Sequence, residues 1–150
     1  MRPKALLLAS GALAMLLALA ARAAPAQRIV SLNLCTDQLL LLLVPRERIV
    51  MLSQLATDPQ LSAQAVRARG IARFDGSVES VLKKAPDLVL AGSMASLGTT
   101  RVLQRLGYRV QTQEMPESID AALLFIEQTA PLAGQPPAGQ ALPQAHQQPL

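Results

Sequence analysis

The sequence predicts an α/β protein, a Rossmann-like parallel sheet with helices on both faces. Short β-branched runs alternate with helical stretches along most of the chain. The clearest run, Asp87-Leu88-Val89-Leu90-Ala91-Gly92, is continuously apolar, as expected of a strand covered on both sides. Proline or glycine closes most segments: Pro45, Gly70, Pro86, Gly92 and Gly107.

The elements follow in order. Residues 1–26 have the pattern of a cleaved export signal. Arg2 and Lys4 precede an apolar run from Ala5 to Ala21, and small residues follow. Two A-x-A triplets suit a signal peptidase, Ala21-Arg22-Ala23 and Ala24-Pro25-Ala26. The second is favoured because Pro25 ends a helix and Gln27 begins a polar stretch. The apolar run is short for a membrane span. Leu32-Asn33-Leu34 lacks the small residue that lipidation of Cys35 needs.

Arg28 to Leu32 reads as the first strand, and Asn33 as the cap of a buried helix that runs through Leu39 to Val44. Ile49 to Leu52 is the second strand, followed by a polar loop, Ser53 to Pro59. A helix is expected over Gln60 to Arg69 and a short strand over Ile71 to Arg73. Ser77 caps a helix with Val78, Val81 and Leu82 on one face. After the strand ending at Gly92 comes a loop, Ser93 to Gly98. A helix opening at Thr99 or Thr100 should bury Val102, Leu103 and Leu106. Tyr108 to Gln111 is the next strand. Ser118 starts the last helix, with Ile119, Ala122, Leu123 and Ile126 on one face. From Pro131 to Leu150 there are five prolines, five glutamines and no Asp, Glu, Lys or Arg, the composition of a linker or disordered tail. Residues 27–130 are thus one small domain.

Composition excludes several functions. The chain holds 14 basic and 10 acidic residues. Arg2, Lys4 and Arg22 lie in the leader, so the rest is near neutral. No basic stripe with interleaved aromatics suggests nucleic acid. His146, the only histidine, has no second ligand near it, and no glycine-rich phosphate loop is present. Cys35 is the only cysteine, so no internal disulfide can form. No nucleophile, metal set or resident cofactor is expected, and the chain is not expected to be an enzyme.

Ligands of parallel sheets bind beyond the carboxyl ends of the strands. Those loops hold Asn33, Thr36 and Asp37 after the first strand, Ser53 and Gln54 after the second, Phe74 to Ser77 after the short strand, and Ser93 and Met94 after the strongest. Phe74, one of few aromatics, could stack on a flat ligand or simply anchor its loop. Arg67, Arg69 and Arg73 could attract an anion or form a solvated face.

Two blocks carry a family resemblance: RIVSLNLCTDQLLLLLVPRERIVMLSQLATD over residues 28–58, and Gly76 to Leu82 followed by Ala85-Pro86-Asp87-Leu88-Val89-Leu90-Ala91-Gly92. A weaker block covers Leu103 to Val110, and the last helix with Leu132-Ala133-Gly134 extends the likeness. In order and spacing these resemble the N-terminal lobe of class III periplasmic substrate-binding proteins of ABC importers for ferric siderophores, haem and cobalamin. The resemblance implies two α/β lobes joined by a rigid helix, with a metal-chelate ligand held between them. It implies an ABC permease in the inner membrane as partner, and Glu79 as the carboxylate that docks to it. This chain departs from the pattern where the interlobe helix should run. A fragment, a frameshift near Ala138 or a partner supplying the other half would each account for that. Two rivals are a truncated remnant that binds nothing and an enzyme subunit on a similar scaffold.

Overall fold

The computed structural model describes residues 25–93 and 96–134. Residues 1–24 of the expected export leader, Met94, His146 and most of the proline-rich tail lie outside the described residues. Four strands, β1 (Ile29–Ser31), β2 (Ile49–Met51), β3 (Leu88–Gly92) and β4 (Val110–Gln113), form one parallel sheet in the order β2-β1-β3-β4. Val30 lies opposite Met51 on one side and Val89 on the other, and Leu90 lies opposite Gln111. Five α-helices connect or follow the strands: α1 (Leu34–Leu43), α2 (Ala65–Ala68), α3 (Val78–Leu82), α4 (Leu97–Arg105) and α5 (Ile119–Leu132).

The two-residue period of the strands divides the core. Ile29, Ile49, Leu88 and Leu90 pack with Leu40 and Leu41 of α1 and with Ala133 just past α5. Val30, Met51, Val89 and Ala91 pack on the other side with Phe74, Val81 of α3 and Leu103 of α4. Both faces of the sheet are therefore covered, which is why its central strands can be apolar at every position. Asp87 joins this frame at its amino end. Its carboxylate accepts from the amides of Gln27 (2.6 Å) and Arg28 (2.9 Å), and so fixes the entry to β1.

From β1 the chain steps to β2 on one side and later to β3 on the other. The switch point lies between the carboxyl ends of β1 and β3, where open α/β sheets leave a crevice.

Several expected elements differ. The helix over 60–69 shrinks to α2, because the Asp58 side chain accepts from the Gln60 amide at 2.8 Å and turns the chain there. Gln54–Thr57 forms a 3-10 turn inside the expected loop. The strand over 71–73 is a single bridge between Leu52 and Arg73. Helix α4 begins at Leu97 and turns Thr99, Thr100 and Leu103 inward, so Val102 and Leu106 stay exposed. Strand β4 starts two residues later than expected. Helix α1 buries Leu39, Leu40 and Leu41 but exposes Leu42. The expected inward face of α5 is only half buried, with Ile119 77% exposed. Helix α5 also continues through Pro131 to Leu132 instead of stopping at Ala130.

The ordered domain also begins before Gln27. Ala26 is 4% exposed and belongs to the core. Its carbonyl accepts from the Arg48 guanidinium (Nε at 2.7 Å), which also donates to the Ala133 carbonyl at 2.6 Å. Arg48 thereby clamps the two ends of the domain together.

Candidate functional site

At the carboxyl end of β1 the Asn33 side chain caps α1, accepting from the Cys35 amide at 2.7 Å and the Thr36 amide at 3.4 Å. The same side chain fills the space over Gly92 at the end of β3, where a Cβ would stand 2.4 Å from Asn33 Nδ2. Asn33 thus sits at the switch point, touching both strands that border it.

Beneath it lies a buried polar layer. The hydroxyls of Ser31 and Thr36 are 2.6 Å apart, and that of Thr36 donates to the Asn33 carbonyl at 2.9 Å. The Asp37 carboxylate, 0% exposed, accepts from the Ser53 amide at 3.2 Å and from the Ser53 hydroxyl. Burial pushes this carboxyl up to about 6, and the Ser31 and Ser53 hydrogen bonds restrain the rise. Thr36 and Asp37 therefore present no surface to a ligand. They tie the start of α1 to the loop after β2 and so set where Ser53 and Gln54 stand. Cys35 is half-buried, and burial followed by the nearby Asp37 raises its thiol.

A cavity of about 530 Å³ opens on this end of the sheet, lined by Gln54, Arg73, Phe74 and Asp75. Gln54 and Asp75 are exposed. Phe74 is corrected as a stacking platform: its ring packs into the core against Val81 and Leu103, leaving 7% of its surface free. Asp75 accepts from the Ser77 hydroxyl (2.7 Å) and amide (2.9 Å), which hold its carboxyl down at about 2. Thr99 of α4 donates to the Gly76 carbonyl at 3.2 Å and anchors the same loop. Ser93 stands apart from this cavity, its hydroxyl donating to Glu114 at 2.8 Å and its amide to the Gln113 carbonyl at 3.0 Å.

The structure thus gathers Asn33, Ser53, Gln54 and Ser93 at the carboxyl ends of the strands. It adds Asp75, which lies inside the expected cleft loop from Phe74 to Ser77 though not itself an expected site residue, and Glu114, which the expected strands could not single out. Glu114 follows β4, whose end falls two residues beyond the expected one. Arg73, expected only as part of a basic patch, lines this cavity. Glu79 is exposed in the first turn of α3, whose cap is the Ser77 hydroxyl. Among the described residues no group of three His, Cys, Asp or Glu side chains could hold a metal ion, and no helix is long and apolar enough to cross a membrane.

No protein-family model matches the chain, and no curated protein matches it. Solved structures do. A possible iron-binding periplasmic solute-binding protein from Staphylococcus epidermidis ATCC 12228 superposes with a TM-score of 0.71 at 22% identity, over 81% of this chain and 48% of that one. The periplasmic haem-binding protein RhuT from Roseiflexus sp. RS-1 gives 0.65 at 25% identity, over 79% of this chain and 45% of that one. The periplasmic vitamin B12 binding protein BtuF of Vibrio cholerae gives 0.63 at 21% identity, over 81% and 47%. The chain spans about half the length of each. These neighbours are solute-binding proteins, and in each the matched half is an α/β sheet unit like this one. The chain therefore has the fold of a class III periplasmic binding protein, over a length corresponding to one of its two lobes.

Proposed function

We propose that this chain is the N-terminal lobe of the substrate-binding component of an ABC importer. Its ligand would be a metal chelate: a ferric siderophore, haem or cobalamin. The observation that carries this reading is the superposition of 81% of the chain on about half of a possible iron-binding periplasmic protein and of a vitamin B12 binding protein. A protein of this kind makes and breaks no covalent bond. It holds the ligand and surrenders it to a permease.

The arrangement at the strand ends suits holding. Asn33, Gln54 and Ser93 offer neutral donors and acceptors, and Arg73 and Asp75 offer charges of both signs. Each is held by a fixed backbone turn or a neighbouring side chain, so little freedom is lost on binding. Thr36 and Asp37 act from behind, as positioning residues for the loop after β2. Phe74 acts through its packing. Glu79 projects from the same end of the sheet, where the carboxyl-end loops also lie, and serves as the docking carboxylate for a cationic side chain of the permease. Such a rim charge chiefly steers encounter. Export across the inner membrane by the leader would place the domain in the periplasm.

A thermal-shift panel on the purified protein tests the reading, with haem, cobalamin and several ferric siderophores. A ligand that binds only the folded chain, present at 100 times its Kd, stabilises it by about 2.7 kcal/mol. For a domain of this size that raises Tm by several degrees, roughly 8 to 15 °C. Glu79→Arg should leave that shift intact and lower uptake in cells. If no chelate raises Tm, the chain does not bind as proposed and the remnant reading takes its place.

A further inference from the structure

A second cavity, larger than the one lined by Gln54, Arg73, Phe74 and Asp75, lies away from the carboxyl ends of β1 and β3. It has a volume of about 940 Å³ and lies beside the edge strand β2 and the residues that lead into β1 and β3. Five cationic side chains line it, Arg28, Arg46, Arg69, Arg73 and Lys84, against one acid, Glu47. Outside the leader the chain is near neutral, so this is a local concentration of charge. No ion pair within 4.0 Å neutralises it among the described residues. Ile49, Val50 and Ile71 give it an apolar wall.

Two of the four guanidinium groups are held in place by backbone carbonyls. Arg28 Nε donates to Lys84 (2.9 Å) and Ala85 (3.1 Å). Arg46 donates to the carbonyls of Arg67 and Arg69, closing the carboxyl end of α2. Gly70, at φ +80°, lets the chain turn close over Arg46, since a Cβ there would lie 3.3 Å from Arg46 Nη2. These bonds fix the position of two positive charges and leave both uncompensated. Arg73 Nη1 donates to the Thr57 hydroxyl at 3.3 Å, and its other nitrogens make no hydrogen bond among the described residues. The side chains of Arg69 and Lys84 make no hydrogen bond among the described residues. The result is a preorganised positive field with unused donors beside an apolar wall.

We propose that this cavity binds a small, multiply charged oxyanion, such as one bearing several phosphate or carboxylate groups, at a site beside β2 that adjoins the carboxyl-end cavity through Arg73. Arg46 and Arg28 set the field. Arg69, Arg73 and Lys84 contact the anion, with the planar forks of the arginines suited to paired oxygens. Arg69 and Lys84 line only this cavity, so the anion site and the chelate-binding role can each fail alone.

Calorimetric titration of the purified protein with inorganic tripolyphosphate, and in parallel with citrate, tests it. R69A/K84A removes two cavity cations. R67A/K83A removes the same charge from exposed residues that do not line the cavity. R69A/K84A should weaken tripolyphosphate or citrate binding by about tenfold or more, and R67A/K83A by less than about twofold. Should R69A/K84A lower Tm, R69Q/K84Q replaces it with the side-chain bulk kept. Failure of both anions to bind the wild type, or equal losses in the two charge-matched variants, would overturn the proposal.

Discussion

Asp37 shows how one residue can be read correctly in place and wrongly in role. Its position in the first turn of α1 follows from sequence, but its burial follows from the loop after β2 folding over it, which local pattern does not encode. Its carboxyl sits near 6 in the folded chain against 3.8 ordinarily, because burial disfavours the charged form. The folded chain therefore holds a proton that the unfolded chain has released between about pH 4 and about pH 6, and stability falls as pH rises through that window. The whole loss is of order 3 kcal/mol and is complete above the folded value. Asp37→Asn keeps an acceptor for the Ser53 amide and removes the charge. Urea denaturation from pH 4 to pH 7 should show a downward slope in the wild type, about 3 kcal/mol in all, that is flattened in Asp37→Asn. An unchanged slope in the variant would mean that another group carries it. Asn33 is the converse case. Its capping role is legible from the residue type and its place before an apolar run, whereas its contact with Gly92 depends on strand order and could not be read.

Among the elements, the long and regular ones were legible. Strand β3 is bounded by Pro86 and Gly92 and apolar throughout, and both signals survive in the structure. The short ones were not. Helix α2 lost its first half to an Asp58 side-chain turn, and the bridge at Arg73 rests on the amide of Phe74 donating to Leu52 at 2.8 Å and on Leu52 donating to Ala72 at 2.9 Å. Tertiary placement, not propensity, decides such pieces. The exposed face of α5 shows the same limit, since an i, i+3, i+4 stripe marks a face able to be buried and not what covers it. Arg48 joins elements far apart in sequence, and nothing local marks it. Arg48→Met would leave the carbonyls of Ala26 and Ala133 unpaired in the core, at a cost of about 3 kcal/mol. Chemical denaturation should show that loss, with Arg48→Lys recovering part of it. A variant as stable as the wild type would remove the clamp from the account.

For the whole molecule, the parallel sheet and its covered faces were legible because strand and helix periods alternate in sequence. Strand order was not, and it places the switch point at Asn33 and Gly92. The extent of the domain also needed the structure. Cleavage after Ala26 would remove a core residue and one acceptor of Arg48. The alternative triplet, Ala21-Arg22-Ala23, spares both. Amino-terminal sequencing of the exported product should therefore give Ala24 as its first residue, and Gln27 would show that the contacts of Ala26 are dispensable.

Under the proposed function, the carboxyl ends of the strands form half of a chelate-binding cleft. Backbone amide NMR during titration with the chelate that raises Tm tests it most directly. Shift changes should concentrate at Asn33, Ser53, Gln54, Asp75 and Ser93, with Arg69 and Lys84 unmoved. Changes confined to the cavity beside β2, or spread evenly over the domain, would contradict it.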